Sequence, residues 1–246
     1  MASEQLDEEF VPPHLRRLMW HSHRDFWVSQ CVDPVFVAAV MHAGFLPIAT
    51  LHRQQFYLLP KMHEERCVMD PTRLHIPKQI RKKAKGYRLT INQAFDRVVQ
   101  GCHNQHGVSW LFPPIVTAFR ALVPGVTVQN TTIKVYSIEL WKGDELAAGE
   151  LGYCNGAMFT SLTGFVSPGA SGAGTMQLYA LGALLHVCQF QLWDLGMAMA
   201  YKTALGAYPM ARIDFVQRVH TLRNIPVTLI EDERQAKDII EQHLHL

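Results

Sequence analysis

Three carboxylates stand where this sequence could do chemistry. Asp194 closes an apolar run, Phe190-Gln191-Leu192-Trp193, while Glu139 and Glu150 lie inside strand-like stretches otherwise poor in charge. A carboxylate at the end of a buried strand emerges at a cleft edge, where it can orient an amine or take its proton. The competing reading of Asp194 is an N-cap for a helix starting near Gly196. Trp110 and Trp141 are ligand platforms or core, and aromatics of this size more often serve the core. Thirteen histidines invite a metal site, yet His21-Ser22-His23 and Cys102-His103 with His106 match neither a zinc pattern nor His-Glu-x-x-His. No Gly-x-Ser-x-Gly elbow or P-loop lysine is present. On these spacings a catalytic metal is not expected.

These residues need a scaffold, and the alternation of Ile133-Lys134-Val135-Tyr136-Ser137-Ile138-Glu139-Leu140-Trp141 supplies its first strand. Lys142 to Glu145 has turn chemistry, Leu146 to Tyr153 is a second strand, and Asn155-Gly156 favours a type I′ turn. Met158 to Val166 completes a meander. The loop Ser167 to Gly174 lacks large side chains, so a ligand can approach its backbone closely. An apolar helix, Thr175 to Phe190, follows, with Met176, Tyr179, Leu184 and Leu185 inward. Before the meander, Pro34 to Ala43 reads as a helix capped by Asp33, and Leu89 to Cys102 as a helix capped by Asn92 or Thr90. Shorter elements are expected at His14–Trp20, Gln55–Leu59, Cys67–Met69 and from Pro113. Pro226–Ile230 reads as a last strand and Asp232–His245 as a terminal helix.

Composition sets outer bounds. Apolar residues make up 48% of the 246 and charged residues 18%, enough for a well-buried core. Five scattered cysteines without a Cys-x-x-Cys pair fit a reduced, cytoplasmic setting. The acidic start lacks a signal-peptide pattern, and Leu178–Trp193 is too short and too polar to span a bilayer. Net charge is only +2, so a nucleic-acid partner must meet a local patch. Arg73, His75, Lys78, Arg81, Lys82, Lys83, Lys85 and Arg88 crowd one short span. Such a cluster is either a solvated helix face or a seat for a phosphate backbone.

Taken in order, several stretches resemble the leucyl/phenylalanyl-tRNA–protein transferase family. Gly44-Phe45-Leu46-Pro47 is similar to its Gly-Ile-Phe-Pro, Leu74-His75-Ile76-Pro77-Lys78 to its Leu-His-Ile-Ser-Arg, and Ser109-Trp110-Leu111 to Thr-Trp-Ile. Tyr136 to Trp141 follows His-Ser-Val-Glu-x-Trp, Leu146 to Gly152 parallels Leu-Val-Gly-Gly-Leu-Tyr-Gly, and Leu205 to Phe215 reproduces Leu-Gly-Ala-x-x-x-x-Arg-x-x-Phe. There are departures. The family's Asp-x-Gln reads Asp194-Leu195-Gly196, and its Gly-Glu-Ser-Met-Phe-Ser reads Ser161-Leu162-Thr163-Gly164-Phe165-Val166.

The resemblance implies an α+β fold: a GNAT-like C-terminal domain with a mixed, mainly antiparallel sheet flanked by helices, beside a small N-terminal α/β domain. The expected division is 1–72, a basic connecting segment 73–88, and 89–246. The implied activity joins an apolar amino acid from an aminoacyl-tRNA to the N-terminal α-amine of an acceptor protein, in the N-degron pathway. Asp194 would be catalytic and Glu139 or Glu150 would supply acceptor charge. Met158, Phe159 and Phe165 would hold the transferred side chain, with Trp110, Trp141, Ser161 and Tyr201 also at the substrate. The basic span would hold tRNA; no metal or membrane is implied. Two other readings stay open: an N-acyltransferase using the Gly169–Gly174 loop for another acyl carrier, and an inactive peptide- or RNA-binding relative that has lost the Gln and Glu.

Overall fold

The computed structural model describes residues 24–246, so the helix expected at His14–Trp20 lies outside the described residues. Helix α1 (Pro34–His42) begins as its residues dictate: Asp33 accepts the Val35 N–H at 2.8 Å and Pro34 fills the first turn. Strands β1 (Leu46–His52) and β2 (Gln55–Lys61) pair as a separate hairpin. β3 (Glu65–Met69), inside the segment 1–72, belongs instead to a nine-stranded sheet. The basic span folds as a 3₁₀ turn, helix α2 (Lys78–Lys83) and a second 3₁₀ turn.

Strand β4 (Arg88–Ile91) and helix α3 (Phe95–His106) occupy what reads in sequence as one helix. The reason is Asn92, whose φ of 57° turns the chain while its Oδ1 accepts the Ser137 N–H at 2.9 Å. Helix α4 (Pro113–Ala121) and β5 (Val126–Val128) lead into the meander: β6 (Thr131–Lys142), β7 (Glu145–Asn155) and β8 (Met158–Val166). Its second turn is centred on Gly156-Ala157, because the Asn155 side chain is spent on the Met41 and His42 carbonyls. Helix α5 (Ala173–Val187), β9 (Leu192–Asp194), α6 (Ala200–Leu205), β10 (Tyr208–Ala211), α7 (Arg212–Leu222), β11 (Arg234–Gln235) and α8 (Ala236–Leu244) complete the chain. The strand expected at Pro226–Ile230 is an irregular segment that buries Leu229.

Strand order is β10-β3-β9-β8-β7-β6-β4-β11, with β5 also on β6. Among the described residues only β8–β9 is parallel, which makes this the mixed, mainly antiparallel α+β sheet expected. One face packs against α1, α3, α4 and α7 through Ile133, Val135, Leu151 and Tyr153. The other packs against α5 and α8 through Tyr136, Ile138, Leu140 and Phe159. Alternation along β6 divides its side chains between the two cores, as a pleated strand must.

Glu139 points into the α3 side and is fully buried. It accepts the Thr90 and Ser137 hydroxyls at 2.5 and 2.6 Å and the Ala94 N–H at 3.1 Å, capping α3 from across the sheet. Burial raises its pKa, and these donors oppose the rise. The expected acceptor-binding role does not suit this placement: Glu139 has no exposed surface and its oxygens are engaged by Thr90, Ser137 and Ala94. Glu139→Ala strands those buried groups and should destabilise the fold by about 1–3 kcal/mol. Urea unfolding checks this; an unchanged midpoint would show that the cap is dispensable.

Candidate functional site

The parallel pair β8–β9 is short. Met158, Phe159 and Thr160 lie beside Leu192, Trp193 and Asp194, and there the pairing stops. β9 turns away at Leu195-Gly196, whereas β8 continues along β7 to Val166. The register with β7 shifts at the same place: Gly152 faces Ser161 and Leu151 faces Thr163, so Leu162 is an extra residue. Farther along, the α3 end closes the gap, with Gln105 accepting the Val166 N–H and His106 on the Gly164 carbonyl, both at 2.8 Å. What remains is an opening in the sheet: residues 161–163 of β8 have no described strand beside them on the β9 side, and residues 195–199 run out of the sheet. Residues 161–163 are half-buried, and Met197, Met199 and Tyr201 in the segment beyond β9 are exposed.

Asp194 marks the edge of this opening without facing it. Its carboxylate has no exposed surface and is held by Arg66, Nε to Oδ1 at 3.2 Å and Nη2 to Oδ2 at 2.5 Å. Thr160 donates to Oδ2 at 3.2 Å and the Gly196 N–H to Oδ1 at 2.9 Å. Arg66 is equally buried and stacks over Phe215 at 4.5 Å. A carboxylate locked in a bidentate pair is not positioned at a cleft lip, as the sequence led one to expect. It instead ties β3, β9 and the start of the loop into one rigid corner.

Glu150 lies on the α5 side of the sheet and is 5% exposed. Ser161 donates to its Oε1 at 2.7 Å and Gln177 of α5 to its Oε2 at 3.1 Å. The Trp193 indole donates to Ser161 Oγ at 2.9 Å. Burial pushes the Glu150 pKa up to about 7 against the pull of Ser161, Gln177 and Lys202. Lys202 itself donates to the Leu195 and Met197 carbonyls at 2.5 and 2.9 Å, bracing the loop after β9 against its own following helix. Burial lowers the Lys202 pKa, and the neighbouring Cys67, Asp194 and Glu150 counter that effect.

The remaining expected site residues divide. Met158 and Phe159 are wholly buried and fall in opposite cores, and Phe165 packs onto Gly101 and Gly149 on the α3 side. They therefore form no common wall for a transferred side chain. Adjacent strand residues alternate, which separates Met158 from Phe159, and the bulge at Leu162 turns Phe165 to the face opposite Phe159. Trp110 packs against Phe119 at 6.2 Å, on the α4 side. Trp141 is buried, donates to Thr90 at 2.7 Å and lies under Arg88 and Arg97, whereas Trp110 is half-buried. Ser161 and Tyr201 do border the opening. In the basic span, Arg73, His75, Lys78, Lys82, Lys83 and Lys85 are exposed, while Arg81 is half-buried and Arg88 pairs with Glu233 at 3.1 Å. Leu74, Ile76 and Ala84 anchor the span in the core beneath α5. No group of three His, Cys, Asp or Glu side chains among the described residues is placed to hold a metal ion. No described helix is long and apolar enough to cross a membrane.

Comparison with known proteins bears on this arrangement directly. A family model described as leucyl/phenylalanyl-tRNA protein transferase matches residues 68–220, which include Glu150, Ser161, β9 and the loop beyond it. The chain belongs to this family. It is 27% identical over 229 residues to a leucyl/phenylalanyl-tRNA–protein transferase of Proteus mirabilis, covering 90% of this chain and 92% of that one. It is 31% identical over 169 residues to the protein of that name from Shewanella baltica, covering 67% and 68%.

Sequence reading passed over Arg66 and Gln177. Arg66 is a lone cation inside the short strand β3, and Gln177 a lone amide inside an apolar helix; each is a polar group that burial obliges to find a partner. Removing one partner of the buried pair should be costly: Asp194→Asn should lose about 3–5 kcal/mol of stability. The double change Asp194→Leu with Arg66→Met should recover much of that loss, as read by urea unfolding. Beside the pair, burial above all, with help from Arg66 and Lys61, pushes the His63 pKa down to about 4. Its unfolded value lies near 6.5, so folding favours the neutral ring. The stability it contributes is complete above about pH 6.5 and drains away as pH falls toward 4. His63→Gln should flatten that part of the stability–pH curve; an unaltered slope would remove His63 from the account.

Proposed function

We propose that this protein moves an apolar, Leu- or Phe-like aminoacyl group from tRNA onto the N-terminal α-amine of an acceptor protein, the marking step of an N-degron pathway. The observation that carries the reading is the family match over residues 68–220, a span that holds both sides of the opening where β8 and β9 part. Such a site suits the reaction. An amine and an ester must meet in line, shielded from water that would hydrolyse the ester, and the tetrahedral oxyanion needs donors in place beforehand. The proposal invokes no cofactor, because the ester already carries the activation.

In this reading Met197, Met199 and Tyr201 receive the apolar side chain and Ser161 lies at the reacting centre. Asp194 acts as a positioning residue: through Arg66 and the Gly196 N–H it fixes the loop that forms one wall. The exposed cations from Arg73 to Lys85 hold the tRNA, anchored under α5 on the same side as Glu150. The relatives named as transferases support the donor assignment.

Incubation with tRNAs charged with different amino acids and peptides of varied N-terminus should give a peptide heavier by one apolar residue. No product from any pairing would end the enzymatic reading. Removing Lys82 and Lys83 together should reduce the slope of log affinity against log salt by roughly 1.5, since each phosphate contact contributes about 0.7–0.9. A slope unchanged by the double substitution would place the tRNA elsewhere.

A further inference from the structure

We propose that Ser161 and Glu150 form a proton relay: Ser161 Oγ takes a proton from the attacking amine as it passes its own to Glu150. The proposal rests on the aminoacyl-transfer reading above and assigns the group that this reading leaves open. Asp194 cannot fill the part, because both of its oxygens are engaged by Arg66, Thr160 and the Gly196 N–H and none of its surface is exposed.

The hydrogen bonds set the direction of transfer. An indole N–H only donates, so Trp193 occupies one lone pair of Ser161 Oγ and compels the hydroxyl proton to point elsewhere. It points at Glu150 Oε1, 2.7 Å away. Gln177 holds the other carboxylate oxygen, which fixes the rotamer of Glu150. One lone pair of Ser161 Oγ is left for an incoming N–H, and Ser161 is the half-buried member of the pair, beside the opening. The charged and titratable groups around Glu150 are Lys202 and Tyr201 from the loop side and Cys102 from α3. Burial outweighs them and leaves the carboxyl with a pKa of about 7, the range in which a group can both take and return a proton.

The reaction closes without a further reagent. The neutral α-amine attacks the ester carbonyl carbon, forming the N–C bond. One proton of the resulting ammonium goes to Ser161 Oγ while the Ser161 proton moves to Glu150. When the C–O bond to the tRNA ribose breaks, Glu150 returns its proton through Ser161 to the departing oxygen. The products are the amide and tRNA with a free hydroxyl. Both members of the pair are departures from the motifs quoted above, with Glu150 in the place of a leucine and Ser161 in that of a glycine. They appear in a chain that also lacks the motif glutamine and glutamate, at Gly196 and Leu162.

The test is the pH–rate profile of peptide aminoacylation by the full-length protein and its Glu150→Gln, Ser161→Ala and Ser161→Thr variants. Glu150→Gln and Ser161→Ala should each lower kcat/KM by about a hundredfold or more, the scale of proton-transfer catalysis. Both should lose the rise in rate centred near pH 7, leaving only the rise due to the peptide amine near pH 8. Ser161→Thr, which keeps a hydroxyl, should stay within tenfold of wild type and retain both rises. If Glu150→Gln does not fold, Ser161→Ala carries the test. Wild-type transfer with variants unchanged in rate and profile overturns the relay alone. A wild-type protein that transfers nothing overturns the transferase reading, and the relay with it.

Discussion

A guanidinium and a carboxylate, both removed from water, hold this fold at its most consequential point. Arg66 and Asp194 come from strands remote in sequence and adjacent in the sheet, and their pair sits where β9 stops following β8. Burying two charges costs several kcal/mol per ion, and only bidentate geometry with the remaining lone pairs satisfied recovers it. Those conditions are met by Thr160 and the Gly196 N–H. The consequence is structural determinacy: the chain after Asp194 leaves the sheet at a fixed place and in a fixed direction. An opening beside β8 can then exist without collapsing onto its own backbone.

The two sides of that opening have different chemistry. On β8, a bulge at Leu162 relaxes the pleat and leaves residues 161–163 half-buried. Beneath it, Glu150 is a buried carboxylate held by Ser161 on one oxygen and Gln177 on the other, with Trp193 donating to Ser161 in turn and no bidentate cation. The contrast with Asp194 is instructive. One acid is paired with a cation and serves architecture; the other has its pKa pushed up to about 7 by burial and is the group to which the proposed relay gives the proton. Two carboxylates flanking one crossing point thus acquire separate roles from environment alone.

Much of the sheet was legible in the sequence, for physical reasons. Alternation from Ile133 to Trp141 reports a strand between two cores, and Asp33-Pro34 announces a helix start that the structure reproduces. The family motifs were legible as well. The site was less so. Phe159 and Phe165 lie an even number of positions apart and read as one face, but a bulge reverses that parity and no residue at 162 announces it. Glu139 and Glu150 look alike in sequence, yet register sends one to α3 as a cap and the other to α5. The place of Asp194 depended on a partner far away in the chain, and nothing local encodes such a pairing. Asn92 broke an apparent helix because its side chain was claimed by β6, a tertiary demand that outweighs local periodicity.

The central claim is one of place: substrate meets the protein where β8 and β9 separate, on the side of Glu150. A stable amide-linked analogue of aminoacyl-adenosine, bound to the protein and followed by backbone and side-chain NMR shifts, tests it most directly. The account predicts shifts concentrated at Ser161, Leu162, Thr163, Gly196, Met197 and the Trp193 indole. Shifts gathered instead around Trp110, Glu139 and the start of α3, with the opening unmoved, would contradict it.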